Sequence, residues 1–227
     1  MTRKMIVPIM FGILGAGILI WLGTWQIQRM TWKTQMLARI EAQVGGTPMP
    51  IETVLGPKPT EFAPVFATGE FTGPEIHILS SIKQVGAVYR IVQAFQTAGG
   101  PRILVDRGYV LNDQKNAPKP TTATRIVGNF RTPQEVDSFT PAPDIKTNTW
   151  FARDVPAMAK ALNTLPVLVI LRETSDPAAV VRPLPVSTAG IPNDHMNYAI
   201  TWFSLAIVWL GMTGFMLWRI RRAEDKE

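Results

Sequence analysis

An uncharged apolar stretch near the start of the chain, residues 5–28, has the sequence MIVPIMFGILGAGILIWLGTWQIQ. A second uncharged apolar stretch, residues 196–218, lies near the other end, and charged residues flank both stretches. With a rise of 1.5 Å per residue, a helix over either stretch would be roughly 35 Å long, which exceeds the roughly 30 Å hydrocarbon core of a bilayer. The sequence therefore predicts two membrane-spanning helices on either side of a polar domain.

These two helices divide the chain into five parts. Basic residues follow the second helix and none closely precedes it, so the end of the chain is expected in the cytoplasm; they are Arg219, Arg221, Arg222 and Lys226. Two crossings put both tails on one side and the middle domain on the other. The predicted parts are a cytoplasmic tail at 1–4, a transmembrane helix at 5–28, a periplasmic β-rich domain at 29–194 with a helical extension at 29–44, a transmembrane helix at 195–218 and a cytoplasmic tail at 219–227.

The first apolar stretch is expected to remain as an anchor. It is too long for the apolar core of a signal peptide, about 7–15 residues, and no small-residue cleavage site follows it. The stretch begins almost at the first residue, so we expect no organellar presequence. We therefore expect a multi-pass protein of the bacterial inner membrane, with its main domain in the periplasm.

The middle domain has the sequence pattern of a small β-barrel. Its predicted strands are rich in β-branched and aromatic residues and are bounded by Gly or Pro; they cover residues 64–71, 75–82, 88–97, 102–110, 125–131, 149–152 and 167–173. Asp154 is expected to cap a short helix at 155–162, with Pro156 in its first turn. The predicted fold class is an α+β membrane protein, in which two transmembrane helices flank a periplasmic antiparallel β-barrel-like domain with a short helix.

Composition and missing motifs exclude several classes of function. The chain has no cysteine, which excludes disulfides, thiolate metal sites and covalent c-type haem attachment. Residues 29–194 carry 17 Lys and Arg against 14 Asp and Glu, interspersed without a basic stripe, so nucleic-acid binding is not expected. The chain contains no GxSxG, no HExxH and no glycine-rich phosphate loop before a helix, which argues against an enzyme.

The chain has two histidines and one charged strand segment that could carry chemistry. His77 lies between two isoleucines in a strand pattern and is expected to be a surface histidine. His195 begins the second apolar helix, where it could be a first-turn residue beside a helix cap or a ligand near the membrane. Asp106 and Arg107 point to opposite faces of their strand, which predicts a structural Arg107 and a bulge or turn at Gly108.

Helical spacing places a mixed stripe of residues on the His195 face; it contains Tyr198, Ala199, Trp202, Ala206, Trp209 and Thr213. The stripe could hold a planar apolar macrocycle, or it could be an interfacial aromatic belt combined with helix packing. Small residues on one face of the first helix would let the second helix approach closely. That face contains Gly12, Gly15, Ala16, Leu19, Gly23 and Gln26.

An aromatic and basic cluster lies at the predicted periplasmic end of the first transmembrane helix. The spacing of Trp25, Arg29 and Trp32 allows the guanidinium to lie between the two indoles. Antiparallel pairing of the helices would bring Gln26 and Arg29 to the depth of His195. A cation beside a histidine at the membrane edge suits an amphiphile with an anionic head, such as haem with its propionates, whereas the simpler interpretation is a membrane anchor.

Three segments together resemble the Surfeit locus assembly-factor family, membrane proteins that help to build cytochrome c oxidase. Residues 22–33, LGTWQIQRMTWK, are similar to LGxWQxxRxxWK; residues 105–110, VDRGYV, are similar to VNRGWV; and residues 192–203, PNDHMNYAITWF, are similar to PNxHxxYAxTWF. The order, the spacing and the two-helix frame agree over nearly the whole chain. Asp106 replaces the usual Asn and Tyr109 the usual Trp, and both departures lie in the middle domain.

The resemblance implies a non-enzymatic assembly factor that binds haem a and aids its insertion into oxidase subunit I. It implies His195 as a ligand of the haem iron, with haem a synthase, subunit I and membrane lipid as partners. The expected haem-binding residues are His195, Trp202, Tyr198, Arg29, Gln26 and Trp25, and whether one chain or a homo-oligomer holds the haem is left open. The alternatives are a scaffold that stabilises a subunit I intermediate without haem, an envelope enzyme and a channel subunit.

Overall fold

The computed structural model describes residues 3–119, 123–175, 180–189 and 191–224. The first and last residues of the two predicted tails, including Lys226, lie outside the described residues. The chain divides into two compact units, Met1–Arg39 with Thr188–Glu227, and Ile40–Ser187. The elements are helices α1 (Arg3–Val44), α2 (Val155–Leu162) and α3 (His195–Glu224), and strands β1 (Met49–Pro50), β2 (Pro64–Ile82), β3 (Gly86–Thr97), β4 (Arg102–Leu111), β5 (Ala123–Arg131), β6 (Thr149–Trp150) and β7 (Leu168–Thr174).

Two long apolar helices, α1 and α3, make up the first unit, and each is long and apolar enough to cross a membrane. Helix α1 continues to Val44 as predicted, because no Gly or Pro lies between Trp32 and Gln43. Most large apolar side chains of both helices are exposed, including Val7, Phe11 and Ile207. Exposing this much apolar surface to water has a large unfavourable free energy, which is avoided when the surface contacts lipid.

The second unit is a five-stranded barrel with two short added strands. Strands β2, β3, β4, β7 and β5 are neighbours in this order, and β5 also pairs with β2, which closes the ring. The sheet is mixed rather than purely antiparallel, because β4 pairs with β7 in parallel, as do β1 and β6 with β2. A parallel pair needs a long crossover connection, and here β5, β6 and α2 lie on the chain between β4 and β7.

Strand β2 is one continuous strand that covers both ranges predicted as separate strands, 64–71 and 75–82. It is continuous through Gly73 and Pro74, with a register shift between Thr72 and Glu75 in its pairing with β3. Gly73 has a positive φ of 68°, which explains why the sequence pattern is interrupted there. Residues 64–70 pair with β5 and residues 69–82 pair with β3, so this single strand closes the barrel.

The strands bury apolar side chains on both faces. One cluster includes Val65, Phe95 and Ile103, while a second packs α2 against the opposite face of the sheet through Met158 and Leu168. Helix α2 begins and ends as predicted, and the Asp154 carboxylate accepts a hydrogen bond from the Ala157 N–H at 3.0 Å.

The charged segment of β4 forms the predicted bulge. Ile91 pairs with Gly108 and Val92 with Asp106, so Arg107 is the extra residue. The Arg107 guanidinium donates to Gln93 Oε1 at 2.8 Å. The fully buried Asp106 carboxylate instead accepts from Arg90 on β3, at 2.6 and 2.8 Å. Asp106 and Arg107 are therefore structural residues of the barrel that point in different directions.

The prediction that His77 is a surface histidine is wrong. Ile76 and Ile78 pack against α2 as their spacing predicts, but the opposite face of this part of β2 is covered as well, and His77 is only 5% exposed. His77 Nε2 lies 2.6 Å from Glu75 Oε1, which also accepts from Lys119 Nζ at 2.6 Å. A strand pattern identifies one buried face and gives no information on whether a loop covers the other.

We predict that Glu75 makes stability depend on pH. Burial raises the pKa of Glu75, but hydrogen bonds from His77 and Lys119 and the charge of Lys119 outweigh it and hold the pKa below its usual value near 4.5. Because the folded-state pKa is lowered, this stabilisation is complete above pH 4.5 and is lost as pH falls through the folded-state pKa. Glu75→Gln should therefore lower the free energy of unfolding at pH 7 by about 1–3 kcal/mol, and by less at pH 3.

Urea unfolding of the full chain in detergent at the two pH values measures this difference. The control is Glu173→Gln, since Glu173 pairs with Arg172 at 3.0 Å with an exposed carboxylate and should contribute little. An equal loss for Glu75→Gln at both pH values would contradict the prediction.

Gly108 should tolerate no side chain. Its φ is +118°, and a Cβ there would lie 2.0 Å from the Arg182 backbone oxygen, which itself accepts from Tyr109 N at 2.8 Å. Gly86 has a comparable φ of +95°, and a Cβ there meets open space. We expect Gly108→Ala to lower the free energy of unfolding by at least about 2 kcal/mol more than Gly86→Ala, measured by urea unfolding. Similar losses in the two variants would show that the backbone contact at Arg182 is unimportant.

Candidate functional site

The helices α1 and α3 pack antiparallel through small residues. Gly12 lies against Thr213, Gly15 against Trp209 and Gly23 against Phe203. Residue numbers therefore increase along α1 while those of the contacting residues decrease along α3. The residues buried between the helices are Gly12, Ala16 and Gly23 of α1 and Ala199 and Ala206 of α3. The predicted small-residue face of α1 is therefore the face that contacts α3.

The contact leaves no space for larger side chains. A Cβ at Gly15 would lie 2.4 Å from the Trp209 indole, and one at Gly23 would lie 2.8 Å from the Phe203 ring. The same indole donates a hydrogen bond from Nε1 to the Gly12 backbone oxygen at 3.1 Å. Steric fit and this hydrogen bond together fix how far one helix can slide along the other.

This register brings Gln26 of α1 to His195, the first residue of α3. Nδ1 of His195 lies 2.8 Å from Gln26 Oε1. Because an amide oxygen only accepts hydrogen bonds, Nδ1 is the donor, and in the neutral ring Nε2 then keeps its lone pair. Nε2 has no hydrogen-bond partner in the part of the chain that the structure describes. His195 is half-buried.

The turn before His195 is held by two further contacts with α1. Lys33 Nζ donates to the Pro192 backbone oxygen at 2.5 Å, and Asn193 Nδ2 donates to Thr34 Oγ1 at 3.2 Å. The first and third sequence motifs are thus in direct contact. Lys33 is the last residue of the first motif, so the sequence pointed to it as a functional residue. Thr34 lies outside the motif, and nothing in the sequence identified it.

The aromatic and basic cluster forms in part. The Arg29 guanidinium lies 4.1 Å from the centroid of the Trp32 ring. Trp25 is 46% exposed, and among the described residues it makes no such contact with Arg29, so the predicted sandwich between two indoles is one-sided. Arg29 is exposed and lies about one helical turn beyond Gln26, the residue that contacts His195.

The stripe predicted on α3 divides into two groups. Ala199 and Ala206 are buried and Trp209 contacts α1, so these residues are used in helix packing. Tyr198 is 57% exposed and Trp202 is half-buried, one and two turns from His195. Tyr198 and Trp202 therefore remain as the aromatic side chains of the stripe that a ligand at His195 could contact.

A metal ion at His195 would need further ligands. The described residues contain no group of three or more His, Cys, Asp or Glu side chains arranged to hold an ion. A single imidazole is sufficient for an iron whose equatorial positions are already filled by a porphyrin. His195 alone could therefore serve as an axial ligand to a metal that is already held by a macrocycle.

We predict that Gln26 sets the tautomer of His195. In the parent protein the proton should be on Nδ1, and Gln26→Ala should increase the population with the proton on Nε2, since the acceptor at Nδ1 is lost. NMR of protein labelled with 15N-histidine reports both tautomers, and His195→Asn assigns the signals because the chain has two histidines. Gln28→Ala is the control. An unchanged tautomer in Gln26→Ala would contradict the assignment.

Comparisons with known proteins agree with these motifs. A model of the SURF1 family matches residues 13–207, which include Gln26 and His195. Surfeit locus protein 1 of Xenopus tropicalis is 30% identical over 212 residues, with 81% of this chain and 67% of that protein covered. A SURF1-like protein of Rickettsia prowazekii is 33% identical over 200 residues, with coverages of 84% and 81%. The chain belongs to the SURF1 family.

Proposed function

We propose that this protein is an assembly factor for haem-copper cytochrome c oxidase that binds haem a and aids its insertion into subunit I. The observation that carries the proposal is the hydrogen bond from His195 Nδ1 to Gln26 Oε1, which leaves Nε2 as an electron-pair donor. Metal-binding histidines generally donate their other ring N–H to an oxygen, because this fixes the tautomer and the ring orientation. Gln26 supplies that oxygen.

The proposal assigns binding rather than chemistry to His195. A general base is commonly oriented by a carboxylate, which stabilises the imidazolium formed during proton transfer. The partner here is a neutral amide, which orients the ring but supplies no such negative charge. A neutral imidazole is the form that binds haem iron.

The surrounding residues suit the rest of an amphiphilic haem. Arg29 would pair with a propionate, because its guanidinium is exposed, whereas the Lys33 ammonium is engaged by the Pro192 oxygen. Trp25, Tyr198 and Trp202 would contact the porphyrin, and the hydroxyfarnesyl tail would remain among lipid tails.

A transfer protein must also release its cargo. A half-buried ligand at the outer end of a helix pair supports moderate affinity, because part of the haem remains open to a partner. In this proposal haem a synthase supplies the haem and subunit I receives it. The topology that goes with it has both tails in the cytoplasm and the barrel in the periplasm of a bacterial cell.

We expect haem a to copurify with the protein from cells that make it, and His195→Ala to remove the haem spectrum. Arg29→Ala should weaken haem binding by about ten-fold, the loss of one charge-assisted contact of about 1.4 kcal/mol, whereas Gln28→Ala, two residues from Gln26, should have no effect. Absorption spectra and haem titration in detergent measure these effects.

Three results would require a different function or a different set of site residues. A haem spectrum that survives in His195→Ala would place the iron ligand elsewhere. If neither protein contains haem while oxidase assembly still depends on the chain, the protein is a scaffold that stabilises subunit I without carrying haem. Full binding by Arg29→Ala would remove Arg29 from the site.

A further inference from the structure

An apolar groove lies at the ends of α1 and α3 remote from His195. It is lined on α1 by Val7, Pro8 and Phe11 and on α3 chiefly by Trp209, Met212 and Met216, and its volume is about 470 Å³. Thr213, which packs onto Gly12, also lines the groove. The volume lies in the range of small-molecule sites. The proposed haem site uses none of these residues.

A cationic pocket adjoins the groove on α3. It has a volume of about 410 Å³ and is lined by Phe215, Trp218, Arg219, Arg222 and Ala223. Phe215 also lines the apolar groove, so the two lie side by side at this residue. The Arg222 guanidinium lies 4.9 Å from the Trp218 ring centroid, which holds its charge at the rim of the pocket.

The combination identifies the chemical class of the occupant. A groove with an apolar lining that leads to two arginines matches a molecule with acyl chains and an anionic headgroup. Arginine binds phosphate well because its fork of N–H donors can contact two oxygens at once. The last described turns contain Arg219, Arg221 and Arg222 against Glu224, so the local charge is positive.

Position along α3 argues that this ligand is not the cargo of the first site. Met212 lies 17 residues from His195, which is roughly 26 Å along a helix, and Arg222 lies farther still. Basic pockets beside apolar grooves at the ends of transmembrane helices are typical sites for anionic lipid headgroups.

We propose that this end of the helix pair binds one anionic phospholipid, with an acyl chain in the groove and the phosphate at Arg219 and Arg222. The bound acyl chain fills the apolar groove, which is lined by both helices, and so stabilises the pair. The inference requires that the helices lie in a bilayer and does not require haem binding.

Native mass spectrometry of the full chain in detergent tests the proposal. We expect one phosphatidylglycerol per chain, bound at least ten-fold more tightly than phosphatidylcholine. Arg222→Gln should weaken phosphatidylglycerol binding about ten-fold, whereas the adjacent Arg221→Gln, outside the pocket, should bind as the parent does. Met216→Trp should fill the groove and weaken binding of the lipid, with exposed Leu210→Trp, outside the groove, as its control.

Three outcomes would overturn the proposal. Equal losses in Arg221→Gln and Arg222→Gln would mean that the tail attracts anions without a site. Equal binding of the two lipids would remove the role of the arginines. A lipid-free dimer would mean that a second copy covers the groove. The same measurement on His195→Ala separates this site from the proposed function, because lipid binding should persist there even if haem binding is lost.

Discussion

The close approach of α1 to α3 is the constraint on which the candidate site depends. In lipid there is little hydrophobic gain from pairing two helices, so fit and hydrogen bonding must hold them together. Gly15 and Gly23 provide the fit, since a Cβ at either position would collide with an aromatic ring of α3. The bond from the Trp209 indole to the Gly12 oxygen adds a fixed point.

Because helices are stiff, a register fixed along the pair also sets the positions at its end. Gln26 follows Gly23 by three residues and so lies on nearly the same face of α1. The glycine face therefore delivers the amide that orients His195, and the bonds from Lys33 and Asn193 hold the turn from which α3 begins. His77 differs from His195 in its surroundings. Its ring is buried beside Glu75, whose carboxylate also binds Lys119, so His77 has a structural role in the barrel.

Local patterns in the sequence were sufficient to predict much of the fold and of the helix contact. Both long helices, the α2 cap at Asp154, a bulge next to Gly108 and the small-residue face of α1 follow from spacing, breakers and residue size. The parallel pairing of β4 with β7, the continuity of β2 and the burial of His77 could not be derived in this way. Each depends on contacts between segments far apart in sequence, which a local pattern does not encode. Likewise, helical spacing permits Arg29 to stack on either Trp25 or Trp32, and the structure uses Trp32.

In the proposed complex, Nε2 of His195 binds the iron of haem a. Electron–nuclear double resonance on the ferric haem a complex, made with 15N-histidine, tests it most directly, because an axial imidazole gives a nitrogen coupling to the iron spin. We predict such a coupling in the parent protein, retained in His77→Asn and lost in His195→Asn. A coupling that persists unchanged in His195→Asn, or that is absent from a parent protein with bound haem, would contradict this account.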